Sequence, residues 1–128
     1  MNLLLDTHAF LWFVEANAKL SSIARAAIEL PGNRKWVSIA SCWEISIKAG
    51  IGKLQLSDPV DLFLGRELVV NGFSVLPIEL KHVTQVSALA LHHRDPFDRL
   101  LIAQSQVEGI SLDSGDLAFD AYGLVRVW

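Results

Sequence analysis

The sequence predicts an α/β fold in which helices cover both faces of a mainly parallel sheet of four to five short strands. Short apolar runs of strand length alternate along the chain with longer segments whose apolar residues recur at helical spacing. The first run, Asn2–Leu5, is apolar at every position after Asn2, which is typical of a strand buried on both faces of a parallel sheet. An alternating order of strands and helices favours crossover connections and therefore parallel strands.

The first half of the chain contains both kinds of segment. After the first strand, Phe10, Leu11, Phe13 and Val14 recur at helical spacing, and Thr7 is a plausible N-cap for that helix. The other elements predicted in this half are a helix from Ser21 or Ser22 to Leu30, a strand over Trp36–Ser38, a helix over Ile39–Ala49 stopped by Gly50, and a helix from Asp58-Pro59 to Asn71-Gly72.

Turn and cap residues divide the second half in the same way. Its predicted elements are a strand over Phe73–Ile78, a helix over Glu79–Leu91, a helix from Asp95-Pro96 to Gly109, and strands over Ile110–Leu112 and Leu124–Val127. No internal repeat, linker or low-complexity segment separates these elements. Residues 1–128 are therefore expected to form one domain, a length that allows a sizeable core.

Composition narrows the class of protein. Hydrophobic residues make up 52% of the chain and charged residues 20%, which predicts a packed globule rather than a disordered chain. The net charge of −3 provides no global attraction to nucleic acid or anionic membranes, so contact with a polyanion must be local. The single cysteine excludes an internal disulfide, and the absence of a signal or membrane-spanning stretch favours a soluble cytoplasmic protein.

Acidic residues recur where apolar segments meet their boundaries. Asp6 follows the first strand, Glu44 lies within an apolar helix, and Asp98 precedes another apolar helix. Asp113 and Asp116 follow the fourth predicted strand. Because functional groups of an open parallel sheet gather beyond the carboxyl ends of its strands, these acids are expected to meet there. Buried unpaired carboxylates cost several kcal/mol, so their convergence indicates a shared cation.

Carboxylate oxygens are the ligands that Mg²⁺ and Mn²⁺ prefer, whereas a zinc site would use histidine or cysteine. A divalent cation held in this way suits phosphodiester hydrolysis. No GxSxG, GxGxxG or Walker motif occurs, so neither a serine-triad hydrolase nor a nucleotide-cofactor enzyme is indicated.

Each acid taken singly also has a purely structural interpretation. Asp6 is a suitable helix cap, and Glu44 with Lys48 forms an i,i+4 pair worth about 0.2–0.5 kcal/mol on a helix surface. Asp98 stands where a first-turn acid favours the helix dipole, and the acids within 113–120 suit turns. Only their joint placement at one sheet edge favours the metal site.

Three segments carry a more specific signal. They are LDTHAFLW (Leu5–Trp12), SIASCWEISIK (Ser38–Lys48) and HRDPFDRLLIAQ (His93–Gln104). Together they resemble the PIN domain, in particular its VapC-like branch, over nearly the whole chain. The resemblance implies a three-layer α/β/α sandwich and a Mg²⁺- or Mn²⁺-dependent ribonuclease. It also implies the toxin half of a type II toxin–antitoxin pair, with RNA as substrate, a cognate antitoxin as partner and a homodimeric assembly.

The resemblance also implies which side chains form the site. Asp6, Glu44 and Asp98 match three of the family's metal-site acids. The fourth usually follows a Thr or Ser by two residues and precedes a Phe by three, a pattern that Asp116 fits. Asp113 is an extra carboxylate where the family often has an aliphatic residue, so the choice between Asp113 and Asp116 stays open.

Residues around the acids are expected to assist them. By resemblance, Thr7 and Ser114 would support the cluster through hydrogen bonds, and Arg99 would steer phosphate. The other basic residues near the acids in sequence are His92, His93, Arg94, Lys48 and Lys53, for which a solvated surface is the simpler interpretation.

Two hypotheses of function follow. The first is a metal-dependent endoribonuclease, and the second is a catalytically silent binding module whose acids cap helices or recognise a basic partner. Tryptophan content indicates a partner in either case, unless all four pack internally; they are Trp12, Trp36, Trp43 and Trp128.

Overall fold

The computed structural model describes residues 1–128, which form five strands and six α-helices, with two α-helices between successive strands up to β4. The strands are β1 (Asn2–Leu5), β2 (Arg34–Ser38), β3 (Ser74–Leu76), β4 (Ser111–Asp113) and β5 (Arg126–Val127). The helices are α1 (Thr7–Val14), α2 (Ser22–Glu29), α3 (Ile39–Gly50), α4 (Val60–Val70), α5 (Leu80–Gln85) and α6 (Pro96–Glu108), with short 3₁₀ helices at Val86–Ala88 and Leu117–Tyr122. None of the helices is both long and apolar enough to cross a bilayer.

The five strands form one sheet in the order β3-β2-β1-β4-β5, and every neighbouring pair is parallel. Strand β1 lies at the centre, where Leu5 is in register with Val37 on one side and with Asp113 on the other. The α/β prediction is confirmed, and the sheet is wholly rather than mainly parallel. All strands therefore direct their carboxyl ends to the same edge.

The alternation of side chains along β1 divides the core into two layers. Leu3 and Leu5 pack with Phe10 of α1 and Ile28 of α2 on one face of the sheet. Leu4 packs on the other face in a second cluster, with Leu101, Ile102, Leu112 and Phe119. Burying each such side chain stabilises the fold by about 1.5–3 kcal/mol. Helices thus cover both faces, which confirms the three-layer sandwich.

Two predicted helix caps are wrong. The N-cap of α1 is Asp6 rather than Thr7, because the Asp6 side chain accepts a hydrogen bond of 2.8 Å from the backbone N–H of Ala9. Helix α4 begins one residue later than predicted, with Pro59 as an N-cap that makes no side-chain hydrogen bond. The carboxylate of Asp58 instead accepts a hydrogen bond of 2.8 Å from Arg66.

The helix predicted over Glu79–Leu91 is too long. Helix α5 ends at Gln85, tightens into the 3₁₀ turn Val86–Ala88 and leaves a loop that leads to Asp95. The apolar periodicity continues into this loop, but contacts with α6 hold its backbone in a non-helical path. The other boundaries differ by only a few residues, and one shift is consequential because Asp113 is the last residue of β4 rather than part of a turn.

Candidate metal-binding active site

Asp6 lies at the carboxyl end of the central strand and is 7% exposed. Its Oδ1 caps α1 through the Ala9 N–H, and its Oδ2 accepts a hydrogen bond of 2.5 Å from Ser114 Oγ. Burial raises the pKa of Asp6, although the two hydrogen bonds oppose that rise. The carboxylate is therefore fixed in orientation by the Ala9 N–H and by the Ser114 hydroxyl.

Glu44 lies on α3 and is 6% exposed. Thr7 Oγ1 donates a hydrogen bond of 2.5 Å to Glu44 Oε1, and Lys48 Nζ lies 2.6 Å from Glu44 Oε2. The expected i,i+4 ion pair is thus present, but its acid is buried beside α1 instead of lying on a helix surface. Because Thr7 directly follows Asp6 in the chain, this hydrogen bond ties the Glu44 carboxylate to the end of β1.

Asp98 occupies the first turn of α6, whose N-cap Asp95 accepts a hydrogen bond of 3.0 Å from the Asp98 N–H. Burial is the largest cause that raises the pKa of Asp98 to about 7, and the negative charges of Asp95, Asp6 and Glu44 add to it. His93 acts in the opposite direction. These electrostatic effects place Asp98 within interaction range of both preceding acids.

Asp116 follows β4 in a turn that Ser114 organises, because Ser114 Oγ accepts a hydrogen bond of 3.0 Å from the Asp116 N–H. Asp116 Oδ1 accepts a hydrogen bond from Ala118 and so caps the following 3₁₀ helix. Its Oδ2 lies 3.0 Å from His93 Nε2. The same serine therefore contacts the side chain of Asp6 and the backbone of Asp116.

His93 is the site residue that sequence reasoning missed. Its Nδ1 accepts a hydrogen bond of 3.2 Å from the Asp95 N–H, so the proton of the neutral ring lies on Nε2. That nitrogen lies 3.1 Å from Asp98 and 3.0 Å from Asp116. The signals in the sequence were its position two residues before the helix cap, within a run of basic residues, and its place at the start of the segment His93–Gln104.

Asp113 takes a different position from Asp116. It is fully buried, and neither of its carboxylate oxygens has a hydrogen-bond partner. Burial, with a smaller contribution from the charge of Asp6, raises its pKa to about 8. Of the two candidates for the fourth acid, Asp116 is the one that shares His93 with Asp98.

Arg99 is engaged by the backbone of the loop before α6. Its guanidinium donates hydrogen bonds of 3.0–3.4 Å to the carbonyl oxygens of Val86, Leu89, Ala90 and His93. In this structure the donors of Arg99 hold the chain that carries His93, and its expected role in steering phosphate stays a prediction.

A cavity of about 520 Å³ opens beside the acids. Acidic, basic and aromatic side chains share its wall, which consists of Asp6, His8, Trp12, Lys19, Gly115, Asp116 and Trp128. The space is large enough for a substrate fragment next to two of the carboxylates.

The donor set fits a hard divalent cation. Four acids from separate parts of the chain converge at one sheet edge, and the charges of Asp6 and Glu44 raise the pKa of Asp98. A cation would relieve that repulsion, and oxygen donors suit Mg²⁺ or Mn²⁺. Oxygen atoms of Asp98 and Asp116 lie within 4.8 Å of each other, which is close enough to share an ion.

Comparisons with known proteins agree with this architecture. The family model of the PIN domain matches residues 3–124. No curated protein matches the chain significantly.

Solved structures of similar fold include VapBC2 from Rickettsia felis bound to a promoter DNA fragment, with 14% identity, a TM-score of 0.70, and 98% of this chain and 97% of that chain covered. VapBC-1 from nontypeable Haemophilus influenzae has 16% identity and a TM-score of 0.69, with 98% and 96% covered. FitAcB from Neisseria gonorrhoeae has 14% identity and a TM-score of 0.61, with 97% and 95% covered.

Proposed function

Since this chain belongs to the PIN domain family, whose members are nucleases, we propose that it is a Mg²⁺- or Mn²⁺-dependent endoribonuclease. We further propose that it is the toxin component of a type II toxin–antitoxin pair and acts in the cytoplasm. The observation that carries the enzymatic proposal is the acid cluster at the sheet edge. The charges of Asp6 and Glu44 act on Asp98, His93 lies between Asp98 and Asp116, and Asp6 and Asp116 line the cavity.

In this proposal Asp6, Asp98 and Asp116 hold the metal ion, and Glu44 holds a second ion or orients the attacking water. When bound, a divalent ion supplies activation of water and neutralisation of charge on a phosphodiester. The chain itself supplies orientation, because Ser114 and Thr7 fix the carboxylates of Asp6 and Glu44. No covalent enzyme intermediate is required.

His93 and Lys48 limit the charge repulsion within the site. The Nε2–H of His93 is shared between Asp98 and Asp116, and Lys48 offsets the charge of Glu44. Because the pKa of Asp98 is raised to about 7, proton and metal compete for this carboxylate near neutral pH. Cation binding is therefore expected to strengthen as the pH rises through 7.

Two further observations support protein partners. The structural neighbours VapBC2 and VapBC-1 are described as VapBC assemblies, which favours a VapB-type antitoxin for this chain. In addition, α3 exposes Ile39, Trp43 and Ile47 at intervals of four residues, and its exposed positions carry no charged side chain. Interface cores are depleted of charge in this way, so we assign this face to a homodimer.

Charge-removing variants test the enzymatic proposal. Asp6→Asn and Asp98→Asn should each lower cleavage of total RNA in Mn²⁺ by roughly two orders of magnitude or more, since changes outside the ligand shell alone cost about 10–100-fold. Asp6→Asn should still fold, because asparagine also caps helices. Gel analysis of RNA from antitoxin-free protein, with Mn²⁺ or with chelator, provides the measurement.

Asp61→Asn is the matched control, since Asp61 is an exposed acid on α4 away from the cavity. It should cleave RNA like the wild-type protein. If the wild-type protein leaves RNA intact both with Mn²⁺ and with chelator, or if both site variants keep full activity, the nuclease proposal is rejected. Either result would favour the silent binding module.

A further inference from the structure

Two tryptophans form the aromatic wall of the cavity beside the acids. The rings of Trp12 and Trp128 lie 6.0 Å apart at an angle of 55°, and both side chains are only partly buried. Asp6 and Asp116 line the same cavity. Flat aromatic surface is therefore accessible next to the carboxylates at which the proposed chemistry takes place.

Basic groups flank this aromatic wall. The imidazole of His8 stacks on Trp12 at 5.3 Å with an interplanar angle of 25°, and Lys19 Nζ lies 5.9 Å from the Trp12 ring centroid. His8 and Trp12 also line a second cavity of about 340 Å³, together with Lys48 and Lys53. The aromatic wall thus separates two cavities that each contain lysine.

Gly115 fixes one side of the wall. A Cβ atom at this position would lie 2.8 Å from Trp128 Cε2, a distance that packed atoms do not tolerate. The Trp128 ring can therefore lie directly against the backbone next to Asp116 only because residue 115 is glycine. This close contact sets the distance between the aromatic surface and the acid.

The chemistry of these neighbours identifies the ligand. Aromatic rings beside lysine and histidine suit a chain of flat bases joined by negative phosphates, because bases stack on the rings while cations contact the backbone. Of the three lysines, Lys19 lines the acidic cavity itself, whereas Lys48 and Lys53 line the second cavity. The accessible rings of Trp12 and Trp128 beside Lys19 therefore favour a single-stranded nucleic acid in this cavity.

We propose that Trp12 and Trp128 form a nucleobase-stacking subsite that holds single-stranded RNA against the acidic site. The inference rests on the proposed nuclease function and adds to it the substrate form and the residues that position it. Stacking is tolerant of base identity, so this subsite selects unpaired RNA rather than a particular sequence. Trp12 is a positioning residue, and its loss raises KM more than it lowers kcat.

Binding without cleavage tests the subsite. Wild-type protein in chelator is titrated into a short single-stranded RNA that contains 2-aminopurine, whose fluorescence is quenched when the base stacks. Trp12→Ala should weaken binding about tenfold, equivalent to about 1.4 kcal/mol, and should abolish the quenching. Trp12→Phe should retain part of the RNA affinity and part of the quenching, because phenylalanine still offers an aromatic face. This variant separates stacking from a general loss of structure.

Trp36→Ala is the matched control. Trp36 is a partly buried tryptophan on β2 that packs on Arg34 at 4.3 Å and does not line the acidic cavity. This variant should bind RNA and quench 2-aminopurine like the wild-type protein.

Three results would overturn the subsite. The wild-type protein does not bind the RNA, Trp12→Ala leaves RNA affinity and quenching unchanged, or Trp12→Ala lowers only the affinity for the antitoxin. The last result would assign the cavity to the protein partner. Binding that depends on Trp12 but gives no cleavage in Mn²⁺ would support the subsite and reject the nuclease proposal, so the two failures are distinguishable.

Discussion

Asp113 shows how one side chain can oppose the stability of its own fold. It is fully buried at the end of β4, both oxygens lack hydrogen-bond partners, and its pKa is raised to about 8. In the unfolded chain the same group has its ordinary pKa of about 3.8. Folding therefore requires that Asp113 stay protonated, which becomes more costly as the pH rises from about 4 to about 8.

This dependence of stability on the protonation of Asp113 gives a prediction. In chelator, the free energy of unfolding should fall with rising pH over that window, and each buried acid with a raised pKa contributes up to about 1.4 kcal/mol per pH unit. Asp113→Leu should reduce the decline and stabilise the protein most at the alkaline end. Urea unfolding at about pH 5 and about pH 8 measures both effects, and an identical pH dependence in the variant would contradict the assignment.

At the scale of elements, the loop between the Val86–Ala88 turn and α6 positions part of the site. Arg99 holds this loop through three of its backbone carbonyls and the preceding turn through that of Val86, and Tyr122 adds a hydrogen bond of 2.7 Å to the Ala90 carbonyl. His93 lies in the same loop and reaches Asp98 and Asp116. The position of His93 therefore depends on contacts made from the neighbouring helix.

Replacing the guanidinium should loosen this loop. Arg99→Lys keeps the charge but cannot reach four carbonyls, and unsatisfied or lost charged hydrogen bonds cost about 1–3 kcal/mol. We expect faster amide hydrogen exchange over residues 89–95 and lower thermal stability. Arg94→Lys, an exposed arginine in the same loop, is the control and should change neither quantity. Equal exchange in both variants would show that Arg99 does not anchor the loop.

At the scale of the whole molecule, the uncharged exposed face of α3 is the feature that the monomer leaves unexplained. Trp43 is 57% exposed, and its ring lies 5.1 Å from that of Phe97, the residue before Asp98. Of the two alternatives for the tryptophans, internal packing therefore does not hold for Trp43. A second copy that covers this face would also lie close to the acidic site.

A charge on this face should prevent dimer formation. Ile47→Glu would bury an unpaired carboxylate in the proposed interface, at a cost of several kcal/mol, and should raise the dimer dissociation constant by about 100-fold or more. Sedimentation velocity reports the change. Ile23→Glu, at an exposed isoleucine on α2, is the control and should leave the mass distribution unchanged. A monomeric wild-type protein would refute the homodimer.

Local patterns determined much of the fold. The apolar β1 run, the Asp95-Pro96 cap and the Gly109 stop are properties of neighbouring residues, so they were readable from the sequence. The α5 prediction was too long because it used local periodicity alone, whereas the carbonyls beyond Gln85 pair with Arg99 of α6, which is distant in sequence.

The sequence by itself determined the apolar run Leu3–Leu5 of β1, the strand–helix alternation that makes the sheet parallel, and the acids that mark its carboxyl edge. Only the tertiary structure decided that His93 lies between Asp98 and Asp116, that Asp113 is buried without partners, and that aromatic rings line the cavity. The physical reason is the separation along the chain of the residues that decide each property. Backbone conformation follows patterns over a few residues, whereas the environment of a carboxylate depends on side chains that only folding brings together.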